Sequence, residues 1–172
     1  MTLHYSITFF DYWHTSSGLS AGAKLDSSVI KDDNNLPYLA GKTIKGLARE
    51  VADKSLIDEC FGVEGENMGV CYFSNAYLDK QEQEEIVGNV LQNNLYAVIA
   101  STTIDSNGIA VDDSLREIEV VVPLTLYGTV KDIPKEHYAK MLQAIKKIKR
   151  LGLNRHRGLG RCQFKEVGEK NV

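Results

Sequence analysis

The sequence predicts an α+β protein of the ferredoxin-like class, with an elaborated loop after the first strand and an enlarged middle connection. Three observations carry that prediction. Apolar, β-branched runs alternate with amphipathic stretches in the order β-loop-α-β-(α)-β-β-α-β, a split βαβ arrangement with one connection lengthened. Two of the stretches show the 3.6-residue period of helices with one apolar face. The composition, 43% hydrophobic and 25% charged over 172 residues, is that of a globular chain able to bury a core without staples, so residues 1–172 read as one domain.

Taken in order, "LHYSITFFDYW" is aromatic and β-branched and reads as a strand. "SSGLSAGAKLDSSVIKDDNNLPY" is rich in Ser, Gly, Asp and Asn and reads as a long loop, a feature usually tied to function in a compact domain. In "KTIKGLAREVADKS", Ile44, Leu47, Ala48 and Val51 recur at helical spacing, and Lys42, Lys45 and Arg49 share another face. "GVCYFSNAYL" reads as a second strand, with Phe9, Phe10, Tyr72 and Phe73 expected in the core. "DKQEQEEIVGNVLQNN" is helical in composition but interrupted by Gly88. "LYAVIASTTI" and "SLREIEVVVPLTLYGTV" read as strands, with Asp105 to Gly108 as turn chemistry between them.

"DIPKEHYAKMLQAIKKIKRLG" is the clearest helix. Asp132 is a candidate cap, Pro134 a first-turn proline and Gly152 a C-terminal stop. Tyr138, Met141, Leu142, Ile145 and Ile148 are its expected buried stripe. "RCQFKEV" reads as the last strand.

Charge is polarised. Net charge is −3, yet ten of the 20 Lys and Arg lie between Lys135 and Lys165, a span holding one acid, Glu136. A basic region on an acidic chain binds phosphates locally. Its centre is "GLNRHRGLGR", Gly152 to Arg161, where Gly152, Gly158 and Gly160 permit close backbone approach. Arg155, His156, Arg157 and Arg161 offer donors to phosphate oxygens. The plainer reading is a helix-to-strand turn; phosphate or RNA binding is favoured over it.

Other chemistries are excluded. "AGKT" is not a nucleotide-binding P-loop, because Leu36 stands where the motif needs glycine and Pro37 follows. His4, His14, His137 and His156 have no ligand spacing, and Cys60, Cys71 and Cys162 are scattered, which argues against structural zinc and for reduced thiols. No signal peptide or apolar run near 20 residues is present, so no membrane association and a cytoplasmic location are expected. The aromatic strands lack the stacking signature of RNA-recognition sheets. Asp26, Asp32 and Asp33 read in isolation as turn formers.

Four stretches, in order and covering most of the chain, resemble the RAMP superfamily of CRISPR-associated proteins. They are "LPYLAGKTIKGLAREV", "CFGVEGENMGVCYFSNAYL", "STTIDSNGIAVDDSLREIEVVVP" and "LGLNRHRGLGRCQF". Within that family "LDSSVIKDDNNLPYLAG" is most similar to the type III effector-complex backbone subunit. Lys42 and Asn75 depart from the pattern, which has Ser or Thr and frequently Asp there.

The resemblance implies an RRM-like fold with an inserted hairpin, or thumb, within about residues 78–120. It implies a prokaryotic protein that stacks with copies of itself and other effector subunits along a CRISPR guide RNA. It implies Asp26 as the loop aspartate that cleaves complementary single-stranded target RNA at regular spacing by metal-assisted transesterification, with a divalent ion, magnesium, as cofactor. RNA contacts are then expected from Lys42, Lys45, Arg49, Arg155, His156, Arg157 and Arg161, and nuclease activity only in the assembled complex. Three rivals stand beside it. One is a non-catalytic scaffold subunit that binds guide RNA, and another a guide-processing ribonuclease using His156 or His14. The third is an unrelated ferredoxin-like domain binding a small phosphate ligand.

Overall fold

Along the chain, strand β1 (Leu3–Phe9) is followed by α1 (Gly41–Val51), α2 (Lys54–Leu56), β2 (Tyr72–Phe73), α3 (Lys80–Gly88), β3 (Tyr96–Ser101), β4 (Arg116–Val121), β5 (Thr125–Lys131), α4 (Tyr138–Lys147) and β6 (Cys162–Glu166). The structure, a computed structural model, describes residues 1–18, 26–63, 65 and 67–169. In β1 the odd residues Leu3, Tyr5, Ile7 and Phe9 are all buried, because successive side chains point to opposite faces. β1 pairs antiparallel with β5 on one side, Leu3 opposite Val130, and with β6 on the other, Phe9 opposite Cys162. β2 joins the far edge of β5, giving a four-stranded antiparallel sheet in the order β2-β5-β1-β6. This is the ferredoxin-like order, with the first and third core strands in the centre.

Helix α1 packs Ile44 and Ala48 into the core, with Leu47 and Val51 half-buried beside them. Its own N-cap, Ala40, has no capping side chain. The cap comes from Asn75, whose Oδ1 accepts from the Gly41 N–H at 2.9 Å while its amide donates to the Tyr77 hydroxyl at 2.9 Å. Asp can supply the same oxygen, so the departure at Asn75 preserves the cap. Asn75→Ala should cost about 1 kcal/mol, measured by urea unfolding.

Helix α4 lies beside α1 and buries Met141, Ala144 and Ile145. Tyr138 and Leu142 are only half-buried, and Ile148, though buried, lies past the helix end. Its ends differ from the sequence expectation. Asp132 turns through φ 59° and caps nothing, and Pro134 precedes a short 3-10 turn, Lys135–His137, that leads into the helix. The helix stops at Lys147, well before Gly152, because Ile148 turns extended and Lys149 and Arg150 begin pairing with Cys162 and Arg161. Two expected core aromatics are outside: Phe10 is 47% and Tyr72 59% exposed, whereas Phe9 and Phe73 are buried. Tyr72 sits on an edge strand and Phe10 past the end of β1, so neither face is covered.

Between β2 and β5 the chain leaves the sheet. α3 has no fully buried residue, with Ile86 half-buried against the core, and ends at Gly88, where its pattern is interrupted. β3 and β4 then form a hairpin, Tyr96 opposite Val121 through Ser101 opposite Arg116. A lone two-stranded ribbon is marginal in water. This one is tied down at its base. Trp13 and Val121 exchange backbone hydrogen bonds of 3.1 and 2.8 Å, Ser27 runs parallel to Ile118, and Lys31 pairs with Glu119 at 2.8 Å. The far end, from Ser101 to Asp113, is exposed throughout. There the Asp105 carboxylate accepts from the N–H groups of Asn107 and Ile109, the turn chemistry read from the sequence.

Candidate nucleic-acid interface

The long loop after β1 brings Asp26 to the base of the hairpin. Its N–H donates to the Glu117 carbonyl at 2.9 Å, and its Oδ2 accepts from the Glu117 N–H at 2.8 Å. Its other oxygen, Oδ1, has no partner among the described residues. Next to it the Ser27 carbonyl accepts from Glu119 N–H at 3.1 Å, and the Ser27 hydroxyl lies 3.0 Å from Nε2 of His14. His14 is fully buried, with Nδ1 at 2.6 Å from the Glu119 carbonyl. A carbonyl only accepts, so Nδ1 carries the hydrogen, and His14 is a strut between loop and hairpin, closed to solvent.

Glu119 is a second strut. Its Oε2 accepts from Val29 N–H at 3.0 Å and its Oε1 from Lys31, whose ammonium stands 3.9 Å from the Tyr96 ring centroid. Burial, with the Glu119 and Asp32 carboxylates nearby, pushes the Tyr96 hydroxyl well above the usual tyrosine range, and it donates to the Asn35 carbonyl. None of these supports was legible as such in the sequence, because each depends on a contact across about 60 to 100 residues.

The glycine-rich segment folds back on the start of the chain. Gly152 has φ 96° and its Leu153 neighbour donates to the His14 carbonyl; a Cβ at Gly152 would run into that carbonyl. Gly160 has φ 69° and lies against the Leu151 carbonyl while donating to Tyr12. The N–H groups of Leu151, Leu153, Arg157, Leu159 and Gly160 are all engaged inside the protein. Those five donors are therefore not open to an anion.

The basic side chains of the segment diverge. Arg155 faces Glu50 of α1 at 3.7 Å. Arg161 pairs with Asp11 at 3.3 Å and lies over the Phe10 ring. His156 and Arg157 are exposed and make no ion pair among the described residues. Arg157 reaches a cleft of about 440 Å³ that it shares with Asp26, Ser27 and, from β4, Arg116 and Ile118. Gly158, at φ 96°, has open space around it.

On α1, Lys45 and Arg49 line a separate groove of about 630 Å³, walled opposite by Phe61, Gly62, Val63, Gly65, Asn67 and Met68. Lys42 is exposed on the same helix but outside that groove. Five of the predicted contacts thus occupy three places: Lys45 and Arg49 the α1 groove, Arg157 the Asp26 cleft, and Arg155 and Arg161 their surface ion pairs; Lys42 and His156 are exposed outside all three. Arg116 was missed by sequence reasoning. Its signal was present, since in "REIE" a strand puts Arg116 on the same face as Ile118 and opposite Glu117 and Glu119.

Among the described residues no three His, Cys, Asp or Glu side chains gather as a metal cage. Asp26 offers one carboxylate oxygen that is free among the described residues. That fits a magnesium ion, which commonly takes one or two carboxylates and completes its shell with water and phosphate oxygens.

The fold and this arrangement define the class: a ferredoxin-like α+β protein with a hairpin inserted before its third core strand and two grooves, each lined by a pair of cations. Sequence comparison is consistent. The family model of the RAMP superfamily matches residues 6–163, so the chain belongs to the RAMP superfamily. A chain of the type III-B Cmr-beta complex bound to cognate target RNA superposes with a TM-score of 0.76 at 10% identity, over 96% of this chain and 97% of that one. A chain of the apo type III-B Cmr-beta complex gives a TM-score of 0.71 at 12% identity, over 98% of each. No curated protein matches the sequence. Among the described residues no helix is long and apolar enough to cross a membrane.

Proposed function

We propose that the protein is a guide-RNA-binding backbone subunit of a type III CRISPR effector complex, and that Asp26 serves in cleavage of the complementary target RNA. The observation that carries the reading is the cleft where Asp26, with one carboxylate oxygen free among the described residues, meets Arg157, which makes no ion pair among them, on a RAMP fold. A structure bound to cognate target RNA shares that fold.

In this reading each region has a task. Lys45 and Arg49 in the α1 groove hold guide phosphates, with Lys42 alongside. Arg155 and Arg161 exchange their surface carboxylates for phosphate, a small cost because exposed ion pairs are worth little. These contacts fix position without reading bases, as a scaffold for guide pairing requires. The hairpin is the thumb. Its exposed apolar residues Ile104, Ile109, Val111 and Leu115 suit a wedge between stacked bases. Copies of the chain and other effector subunits stack along the guide, in a prokaryotic cytoplasm.

At the cleft, Asp26 would hold a divalent ion through Oδ1 while Glu117 fixes the carboxylate through Oδ2. A bound ion supplies charge neutralisation at the scissile phosphate. With a single protein ligand, the site needs RNA to be complete, so the isolated chain should show little nuclease activity.

A non-catalytic scaffold is the second reading, and one observation favours it: the Asp26–Glu117 bonds give the carboxylate a structural role of its own. RNA binding is common to both readings. Single-stranded RNA should bind the purified chain with affinity falling by about 0.7 log units per contacted phosphate per log unit of salt. A flat response in fluorescence anisotropy would remove the RNA-binding claim.

A further inference from the structure

We propose that Arg116 and Arg157 form a two-guanidinium clamp that seats one phosphodiester of the target strand beside Asp26, and that this clamp already stands in the isolated chain. The proposal rests on the reading above and deepens it by assigning a residue, Arg116, and a ligand group to the cleft.

The two arginines come from different elements, Arg116 from the first position of β4 and Arg157 from the glycine-rich segment, and both line the same 440 Å³ cleft. Both are exposed and neither is ion-paired with a carboxylate among the described residues, in contrast to Arg155 and Arg161. Among the described residues, two guanidiniums without a carboxylate partner and one carboxylate leave the cleft lining net positive, which favours an anion there. Guanidinium is the side chain best matched to two oxygens of one phosphate.

The walls are held in place without a partner. Asp26 is bonded through both its backbone and its carboxylate to Glu117, the residue after Arg116, so the carboxylate is fixed beside the strand position that carries Arg116. On the other wall, Arg157 N–H and Leu159 N–H both donate to the Asn154 carbonyl. Ile99, Ile118, Leu153 and Leu159 add apolar lining, suited to the face of a ribose or base. The cleft volume lies in the range of sites that take small molecules or single nucleotides.

The test uses the full chain labelled for arginine Nε–Hε detection and titrated with a short uridine oligonucleotide. The Hε signals of Arg116 and Arg157 should move together with the amides of Ser27 and Asn154. Arg116→Ala and Arg157→Ala should each weaken binding about fivefold to tenfold, and the double variant should lower the salt slope by about 0.7. Shifts confined to Lys45 and Arg49, with no change in slope for the double variant, would overturn the clamp and leave RNA binding standing. No salt-dependent binding at all would overturn both. In the assembled complex, the Arg116→Ala form should load guide RNA normally and show a raised KM for target cleavage. Lost guide loading would overturn the assignment to the target strand.

Discussion

Replacing Asp26 by Asn should lower target-strand cleavage by the assembled complex by about 10²-fold or more, with guide loading unchanged. Asn is the informative substitution because of how the residue is held. Its amide oxygen can still accept from the Glu117 N–H, now made at 2.8 Å by Oδ2, so the loop stays docked on the hairpin. What disappears is the negative charge of the free oxygen. Asp26→Ala removes both and confounds chemistry with loop position. Single-turnover cleavage of a labelled target measures the effect, and chelator should reproduce it in the wild-type complex. Cleavage unchanged in the Asn form would make Asp26 a docking residue and place the protein in the scaffold class.

Gly160→Ala should destabilise the fold by about 3 kcal/mol and lower the melting temperature by roughly 6–12 °C. The glycine sits at φ 69°, and the added Cβ would meet the Leu151 carbonyl, which lies next to the Leu151–Gly160 backbone hydrogen bond of 2.9 Å. Two bridges would have to shift, Arg150 with Arg161 and Gly160 N–H with Tyr12. Gly158→Ala is the matched control. It has φ 96° but open space around it, so only the conformational penalty of about 1–2 kcal/mol applies. Differential scanning calorimetry of the two variants separates them. Equal losses would mean that the close approach at Gly160 is relieved cheaply.

The contrast between those glycines shows how the sequence should be read. Their spacing among arginines suggested an anion cradle, and half of that suggestion concerned shape alone. Gly152 and Gly160 are required by carbonyls of His14 and Leu151, and the N–H groups of Leu151, Leu153 and Gly160 are already used. The element order was legible because it depends on local periodicity. β1, α1, α4 and β6 each carry their apolar stripe in a single stretch. The ends of α4 were not legible, since Asp132, Pro134 and Gly152 carry helix-boundary chemistry that the chain spends on turns outside the helix. Phe10 and Tyr72 were assigned to the core by residue type, which says nothing of whether a strand lies at an edge.

The site was legible in part for the same reason. Lys45 and Arg49 share a groove because one helix turn places them together. Asp26, Arg116 and Arg157 meet only because the hairpin base, the long loop and the last turn converge, across more than 100 residues of chain. No spacing rule reports such a meeting.

Nuclease footprinting of the guide RNA, in effector complexes assembled with and without this chain, tests the central claim most directly. A backbone subunit predicts protection repeated at regular intervals along the guide, lost when the chain is omitted. A footprint that is the same with and without the chain would contradict it.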